Sequence, residues 1–355
     1  MAWHGILGHD DVVQKFRRAL ARGRLASSFL FVGPAGIGKR AFAFKFAQAL
    51  LCAVRHDSAL DPCEVCPACV QVRAGTHPDF QYVCKPDDKS FLPLELLIGD
   101  KEHRGRQGLC HDIALKPFMG GRKVAIIDDA DYLNPEGANS LLKTLEEPPP
   151  RSVLILIGSS PARQLPTIRS RCQLIRFQPL PPESVAELLV SEGPVEDRAE
   201  ADRLAAASGG SVQRARELAD PDLRAACASL YQQFAEPRFD SVGLARELLA
   251  FVDQSGTDAS GRRDRLRQLV MLAADFFAGL LRPLARATVV GNRDADPWME
   301  KALASWPGDA ETATRSVECC LEAAQQIDRN VHPTTLLECW LDDLAKTTAP
   351  GSTGQ

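Results

Sequence analysis

Apolar and polar positions in the first 180 residues alternate between segments with helical spacing and short apolar runs. Residues 10–22 and 39–51 carry apolar side chains at helical spacing, which predicts two helices. Five short apolar runs predict strands, at residues 28–32, 80–84, 123–128, 153–158 and 174–177. Residues 86–108 fit neither pattern and are predicted to be a mobile connection, in which residues 94–98 could pack. Strands that alternate with helices are typical of βαβ units, so we predict an α/β fold with a parallel sheet.

The pattern changes after the proline-rich segment at residues 179–182, beyond which helical spacing dominates. Three short helices are predicted within residues 183–218, and longer helices from residue 221 onward. A loop is predicted at residues 255–261 and an irregular stretch at residues 291–297, and the last residues have almost no apolar content. We therefore divide the chain into an α/β domain, a small helical domain, a larger helical domain and a disordered tail, at residues 1–178, 179–220, 221–346 and 347–355.

The composition is that of a globular protein, with 355 residues, a formal net charge of -4, 45% hydrophobic residues and 25% charged residues. The longest apolar stretches, such as residues 153–157, fall far short of the ~18 residues that a membrane-spanning helix needs. The first residues also lack the basic and then apolar pattern of a signal peptide. These features disfavour membrane and secreted proteins, so we expect a cytoplasmic protein.

Charge is distributed unevenly along the chain. Residues 1–50 contain eight Lys and Arg and two Asp, a net charge of +6, whereas residues 181–260 have a net charge of -8. A basic segment of this kind can serve phosphate groups, in a nucleotide or in a nucleic acid. A solvated basic helix face is the alternative, because several of these cations fall in the first predicted helix.

A glycine-rich segment between the first predicted strand and the second predicted helix has the spacing of a phosphate-binding loop. Gly33, Gly36 and Gly38 let backbone N–H groups turn toward an anion, and Lys39 would reach the β- and γ-phosphates. The residue after this Lys is normally Ser or Thr, whose hydroxyl holds Mg²⁺. Arg40 stands there instead and cannot bind a cation. The spacing therefore predicts a nucleotide site, while it leaves open whether ATP and Mg²⁺ bind.

An apolar strand that ends in two carboxylates follows at residues 123–129. In a P-loop fold this is the place of the Asp that binds Mg²⁺, here Asp128, followed by a carboxylate that polarises the attacking water. The second residue is usually Glu, and Asp129 is one methylene shorter. A misplacement of ~1 Å can cost about a hundredfold in rate. Taken alone, two Asp after a strand are also consistent with a structural turn.

Four of the eleven cysteines crowd into one short segment, with the spacing C-x10-C-x2-C-x2-C. Cys52, Cys63, Cys66 and Cys69 can close a tetrahedral Zn²⁺ site of four thiolates, which leaves no open position for catalysis. An iron–sulfur cluster and unmetallated thiols are the alternatives, but ferredoxin segments continue with C-x3-C-P, where Arg73 stands here. We therefore predict a structural zinc site formed by these four residues.

A helix stopped by prolines is predicted at residues 138–149, and Arg171 follows it just before the last predicted strand. An exposed Arg at this position could reach the γ-phosphate of a neighbouring subunit as an arginine finger. The alternative is a surface Arg that pairs with a carboxylate. No Ser–His–Asp or Cys–His constellation is visible in the sequence.

Together these motifs resemble the bacterial DNA polymerase III clamp-loader subunits of the AAA+ superfamily. The resemblance is carried by five segments in the same order, at residues 33–39, 52–69, 126–131, 139–149 and 166–172. It covers residues 1–218 closely, and beyond them it rests on helical character and on residues 330–344. It implies an AAA+ domain at residues 1–178 with a zinc module at residues 52–69, then a helical lid and an all-α collar domain for oligomerisation.

The resemblance also implies roles for individual residues. Arg171 would be an arginine finger acting in trans, and Ser159, or Ser160 beside it, would occupy the sensor-1 position. The sensor-2 Arg of the family falls on Gln213, with Arg214 one place later. The implied partners are gamma/tau and delta subunits in a hetero-pentamer, a sliding clamp and primed DNA, with no membrane involved.

Within the family, the choice lies between the ATPase motor and the delta-prime subunit. Arg40, Asp129 and Gln213 depart from the motor pattern, whereas Arg171 is kept. The chain is therefore most similar to delta-prime subunits, which would help ATP-dependent clamp loading and donate Arg171 to a neighbour's ATP. We expect a subunit of the DNA polymerase (nucleotidyltransferase) holoenzyme with no polymerase active site and with weak or no ATPase activity of its own. A gamma/tau-type motor and a non-catalytic AAA+ adaptor remain the alternatives.

Overall fold

The chain divides into two compact units, Met1–Arg216 and Glu217–Gln355. The computed structural model describes residues 3–119, 121–193, 195–256, 259–284, 297–306, 308–329 and 331–349. Each unit has hydrophobic core clusters of its own. None of the described helices combines the length and the apolar character that a membrane span requires.

The first unit is built around a five-stranded parallel sheet in the order β2-β3-β4-β1-β5. The strands are β1 (Ser28–Val32), β2 (Phe80–Val83), β3 (Lys123–Ile127), β4 (Ser152–Gly158) and β5 (Gln173–Arg176). Every residue of β1 and β4 is buried, because both faces of a parallel sheet are covered. Each predicted strand is present within one residue at either end, which confirms the α/β fold with a parallel sheet.

The helices that begin in this unit connect the strands and then continue beyond the sheet. They are α1 (Asp10–Ala21), α2 (Lys39–Leu51), α3 (Pro67–Ala74), α4 (Leu94–Ile98), α5 (Leu109–Ala114), α6 (Pro135–Glu146), α7 (Pro166–Arg169), α8 (Pro182–Ser191), α9 (Arg198–Ala207) and α10 (Val212–Ala219). The two helices predicted first, at residues 10–22 and 39–51, correspond to α1 and α2.

Each face of the sheet has its own apolar layer, because alternate strand residues point to opposite faces. On one face, Phe29 of β1 packs with Phe16 of α1 and Phe46 of α2. The ring centroids of Phe16 and Phe46 lie 4.3 Å apart. On the other face, Leu30 packs with buried residues of α4, α5, α6 and α7. The helix that follows the glycine-rich segment is therefore anchored in the aromatic layer.

Residues 86–108, predicted to be a mobile connection, contain α4 and are tied to the core. Leu92 and Leu97 are fully buried, and the backbone N–H of Leu92 donates to the carbonyl of Tyr132 at 2.9 Å. The charged residues of this segment obscure its two buried leucines in the sequence pattern. The segment is part of the apolar layer on the second face of the sheet.

The three short helices predicted within residues 183–218 are α8, α9 and α10. The backbone N–H of Leu180, before α8, donates to the carbonyl of Gly210 at 3.0 Å. The N–H of Val212, the first residue of α10, donates to the carbonyl of Gly36 at 3.0 Å. These bonds hold the start of α10 against the glycine-rich segment.

The described residues of the second unit form helices and the short segments that connect them. Its helices are α11 (Pro221–Phe234), α12 (Ser241–Asp253), α13 (Ala259–Leu284), α14 (Pro297–Ser305), α15 (Ala310–Asp328) and α16 (Pro333–Thr348). The core has α13 packed along α15, with an aromatic cluster in which Phe234 lies 4.8 Å from Phe277 between ring centroids.

Three boundaries in this unit differ from the sequence pattern or cannot be compared with it. The loop predicted at residues 255–261 is shorter, because α13 already begins at Ala259. The irregular stretch predicted at residues 291–297 lies almost wholly outside the described residues. The sequence pattern predicts a tail from residue 347, but α16 continues to Thr348. The hydroxyl of Thr348 donates to the carbonyl of Leu344 within the helix. Residues 350–355 of that tail lie outside the described residues.

Candidate functional site

The phosphate-loop residues connect β1 to α2, as their spacing predicts. Gly36 has φ of 73° and Gly38, the residue before α2, has φ of 94°. Both angles lie in the left-handed region, which costs an L-residue roughly 1–2 kcal/mol and which glycine adopts freely. The loop can therefore turn sharply into the helix without strain, and it places the helix N-terminus at the carboxyl edge of the sheet.

Lys39 is folded back onto its own loop. Its Nζ donates to the carbonyl of Gly33 at 2.6 Å and to the carbonyl of Pro34 at 2.5 Å, and the residue is only 8% exposed. Burial lowers the pKa of the Lys39 ammonium, while the charges of Asp128 and Asp131 oppose that shift. A bound phosphate would have to take over the donors that Lys39 now gives to the two loop carbonyls.

Arg40 pairs with Asp128, the carboxylate that the sequence assigns to Mg²⁺ binding. Its Nε donates to Oδ2 of Asp128, and the hydroxyl of Tyr82 donates to the same oxygen at 3.2 Å. The Arg40 guanidinium also lies 6.0 Å from the centroid of the Tyr82 ring. These residues do not fit Mg²⁺, because no hydroxyl is present at position 40 and the carboxylate already has a cationic partner.

Asp129 has a backbone φ of 54°, which few residues other than glycine adopt but which Asp tolerates. Its N–H donates to Oδ1 of Asp128 at 2.9 Å. Burial raises the pKa of the Asp129 carboxyl, and the charge of Asp128 adds to this effect. An activating base would need to be ionised and aimed at water, so this environment does not favour that role.

A cavity of about 740 Å³ brings most of the predicted nucleotide-binding residues together. Six of the seven line it, namely Gly36, Gly38, Lys39, Asp128, Asp129 and Ser159. The seventh, Gly33, adjoins them and donates its backbone N–H to the carbonyl of Ser159 at 3.2 Å. The N–H of Ser159 in turn donates to Asp131 at 2.7 Å, which fixes the end of β4 beside the loop.

Sequence reasoning missed several residues of this cavity. His9 places Nε2 2.7 Å from the carbonyl of Ile37 in the phosphate loop and packs edge-on against Phe177. Burial lowers the pKa of His9, so Nε2 is the protonated nitrogen of a neutral ring that donates to that carbonyl. A single His before a helix carries no spacing signal. Asp131 lies in the motif at residues 126–131, but that motif assigns roles only to Asp128 and Asp129, and Tyr82, which bonds to Asp128, belongs to no motif.

Gln213, where the resemblance implies a sensor-2 Arg, lies directly against the phosphate loop. A Cβ atom built at Gly36 would overlap the hydroxyl of Ser211 and would lie 2.6 Å from Cβ of Gln213. The lid helix α10 therefore starts in van der Waals contact with the loop, and a side chain at Gly36 would displace it. Gln213 lines the cavity where the resemblance implies an Arg.

The four predicted metal-ligating cysteines form one cluster, with their sulfur atoms all within 4.8 Å of one another. The Sγ atoms of Cys52 and Cys66 are 4.0 Å apart. Tetrahedral coordination with bonds of ~2.3 Å would place sulfurs about 3.8 Å apart, so the arrangement fits a metal ion. Backbone N–H groups also point at the sulfurs, as from Arg55 to Cys52 at 3.4 Å and from Cys66 to Cys63 at 3.3 Å.

The thiols of the cluster differ in their acidity. Although burial alone would raise it, hydrogen bonds from backbone N–H groups lower the pKa of Cys52 to about 6. Burial raises the pKa of Cys69, and the neighbouring sulfur of Cys66 adds to this effect. Cys52 directly follows α2, and Gln48 on that helix donates to the carbonyl of Cys69 at 2.8 Å. The cluster could bind a metal, and it is attached to the helix that begins at the phosphate loop.

Arg171 lies apart from the cavity. Its Nε and one terminal nitrogen donate to Glu146 at 2.9 and 2.5 Å, and its other terminal nitrogen donates to the carbonyl of Thr167 at 3.0 Å. It precedes β5, whose first residue Gln173 is paired with Phe29 of β1. Four strand residues, about 13 Å, separate that level of the sheet from the loop after β1. Arg171 is at the amino edge of the sheet and the phosphate loop at the carboxyl edge.

These features define a class of protein. A parallel sheet with a phosphate loop after an interior strand, two Asp after β3 and a helix packed against the loop define an α/β unit of the P-loop type. Residues 8–181 match the family model described as DNA polymerase III, delta subunit. Residues 8–181, about half of the chain, are accordingly similar to DNA polymerase III delta-prime subunits.

The similar proteins include both delta-prime and gamma/tau subunits. A DNA polymerase III subunit delta' from Pseudomonas aeruginosa is 40% identical over 198 residues, 56% of this chain and 57% of that protein. The subunit delta' from Bacillus subtilis is 33% identical over 51% of each chain. A subunit gamma/tau from Mycobacterium bovis is 32% identical over 61% of this chain and 36% of that protein. The chain spans about half the length of the delta' relatives it matches.

Proposed function

We propose that this chain acts in a DNA polymerase III clamp loader in the role of the delta-prime subunit, helping ATP-dependent loading of a sliding clamp onto primed DNA. Its partners in this role are gamma/tau and delta subunits in a hetero-pentamer, together with the clamp and the primed DNA. The helical residues 221–346 serve as a collar that joins the subunits, and the assembly acts in the cytoplasm.

The observation that carries the proposal is the position of Arg171. Among the described residues, it is not one of those that line the cavity, and it sits at the opposite edge of the sheet from the phosphate loop. It is 32% exposed, so its side chain can be reached from outside the subunit. An Arg placed in this way cannot serve its own nucleotide, and it would exchange its pairing with Glu146 for the ATP of a neighbouring subunit.

The chain's own phosphate-loop site also supports the delta-prime role, because its residues are unsuited to ATP hydrolysis. Arg40 neutralises Asp128, and Asp129 is buried where its acidity is weakened. A site of this kind lacks the hydroxyl that holds the metal ion in hydrolysing sites, and its second carboxyl is a weaker acid than an exposed Asp. We therefore assign the chain the donation of Arg171, and assign ATP hydrolysis to its neighbours.

Zn²⁺ is the metal that we assign to the cysteine cluster. Four thiolates suit its tetrahedral preference, and four protein ligands leave no position for a substrate. When bound, the ion supplies structural cross-linking. Two hydrogen bonds orient the cluster against α2. Gln48 donates to the carbonyl of Cys69, and the backbone N–H of Arg55 donates to the sulfur of Cys52.

The test is a loader reconstituted with Arg171→Ala. An arginine finger in trans increases kcat roughly 10³- to 10⁵-fold at the ATP site that it contacts. Without Arg171, ATP hydrolysis at that one site should therefore almost cease. Total DNA-stimulated ATPase should drop by the share of that site, and clamp loading should fail. Arg169→Ala is the matched control, because Arg169 is an exposed Arg of the same turn.

Gel filtration must first show that the variant assembly is intact. Unchanged ATPase and loading in an intact complex would reject the finger role and favour the non-catalytic adaptor. Steady ATP turnover by the isolated chain, at the rate of a motor subunit, would instead favour the gamma/tau alternative.

A further inference from the structure

Arg40 occupies the place at which a P-loop site would hold its metal ion. It is the second residue of α2, and its side chain crosses to the carboxylate at the end of β3. The side chain is 60% exposed, whereas that of Asp128 is 8% exposed. Within the described residues, only Nε of Arg40 has a hydrogen bond to protein. The two terminal nitrogens of the guanidinium are therefore available at the cavity wall, which Arg40 itself lines.

Both oxygens of Asp128 already accept hydrogen bonds without a metal ion. One of its oxygens accepts hydrogen bonds from Arg40 and from the hydroxyl of Tyr82, and the other accepts the N–H of Asp129. A divalent cation here would have to displace a guanidinium and share a carboxylate that is already hydrogen-bonded. Since the cation would meet the like charge of Arg40 beside a carboxylate that is only 8% exposed, the residues select against Mg²⁺.

A polyphosphate would find a different environment. Lys39 and Arg40 follow each other at the start of α2, beside loop N–H groups and a helix N-terminus. A guanidinium binds phosphate oxygens through two parallel N–H bonds, which a point charge such as Mg²⁺ or ammonium does not provide. The cavity of about 740 Å³ is of the size that holds a drug-sized or nucleotide-sized ligand.

We propose that this pocket binds a nucleoside di- or triphosphate in its metal-free form, with the guanidinium of Arg40 in place of Mg²⁺. Arg40 is then the residue that determines the charge form of the nucleotide, because it contacts the phosphates and keeps the cation out. This role is separate from the proposed donation of Arg171, which acts on another subunit's nucleotide.

The experiment is calorimetric titration of the isolated full-length chain with ADP and with ATP, once with EDTA and once with excess Mg²⁺. We expect binding in EDTA, and equal or weaker binding in Mg²⁺, because the complexed nucleotide offers less negative charge to Arg40. Arg40→Thr should weaken binding in EDTA by roughly 10- to 100-fold, as expected for loss of a charged hydrogen bond. With the hydroxyl restored, the same variant should bind more tightly in Mg²⁺ than in EDTA.

Two further variants make the result specific. Arg40→Lys keeps the charge but loses the paired N–H bonds, and should fall between the native chain and Arg40→Thr in EDTA. Arg17→Thr removes an exposed cation from α1 and should change neither titration. Circular dichroism should show that each variant is folded, as the exposure of Arg40 leads us to expect.

Binding by the native chain only in Mg²⁺, or no binding in either buffer, would overturn this assignment. Neither result would contradict the proposed function, because that function is tested with Arg171→Ala in the assembled loader. Conversely, unchanged activity of the Arg171→Ala loader would not alter the result of the titrations.

Discussion

Gly36 shows, at the scale of a single residue, how the phosphate loop and the lid depend on each other. Its backbone is left-handed, and its missing side chain makes room for Ser211 and Gln213. The neighbouring N–H of Val212 then reaches the Gly36 carbonyl. One position thus satisfies a conformational requirement and a packing requirement at the same time.

Gly36→Ala should therefore destabilise the chain more than the backbone angle alone explains. The left-handed angle costs roughly 1–2 kcal/mol, and overpacking against α10 should add roughly 1–3 kcal/mol. Gly23→Ala is the matched control, because Gly23 has φ of 63° and nothing within 4 Å of its missing Cβ. Urea denaturation measures the difference. Equal losses for the two variants would mean that the lid does not rest on the loop in solution.

Contacts between individual residues are also the part of the site that the sequence predicts least well. Spacing located Gly36, Gly38 and Lys39, because loop and helix geometry require those residues at those intervals. It could not show that Arg40 turns onto Asp128, because the two lie 88 positions apart and only the parallel sheet brings them together. The same limit hid Tyr82 and Asp131, since a hydrogen bond across strands leaves no periodic trace in the chain.

At the scale of elements, α2 joins two sites that look unrelated in the sequence. Its first residue is Lys39 of the phosphate loop, and the residue after its end is Cys52 of the cysteine cluster. Along the buried side of the helix, Gln48 bonds to Cys69 in the cluster. The position of the helix is therefore set by the aromatic layer and by the cluster together.

One zinc ion per chain is the expected composition of purified protein. Elemental analysis should give about one equivalent of Zn²⁺, and the double variant Cys63→Ser with Cys66→Ser should lose it, because two thiolates cannot close a tetrahedral site. The melting temperature should fall in that variant, since metal binding free energy contributes to folding. Cys339→Ser is the control, because Cys339 is exposed on α16, far along the chain from the cluster. Iron in place of zinc, or no metal in the native chain, would refute the assignment.

At the scale of the whole molecule, the strands and the order of the helices followed from hydrophobic periodicity, since each element buries its own apolar side. The periodicity does not predict the exact ends of the helices in the second unit, where α13 begins earlier and α16 ends later than predicted. Polar residues at a helix end are compatible with either a last turn or a loop, and neighbouring helices decide between them. Each unit nevertheless contains a core that is recognisable by its buried aromatic residues.

Because the cores are distinct, unfolding should not follow a single two-state transition. Phe46→Ala removes a fully buried ring from the first unit and Phe277→Ala one from the second, and each should cost roughly 3–5 kcal/mol. Differential scanning calorimetry should show that the two substitutions shift different transitions. Val242→Ala, at an exposed position, should shift neither. One transition, shifted alike by both core variants, would contradict the division.

The place of β1 in the sheet has a consequence for how the chain is made. Ser28 is paired with Leu154 and Phe29 with Gln173, so both ladders of this strand are closed by residues synthesised more than a hundred positions later. At about 5–20 residues per second, a ribosome leaves this strand, which is wholly buried in the fold, without partners for on the order of ten seconds. Until β4 and β5 emerge, the growing chain must keep β1 from pairing with other nascent chains. The strand that leads into the phosphate loop is thus synthesised well before both of its neighbours in the sheet, and its pairing is completed only when they have emerged.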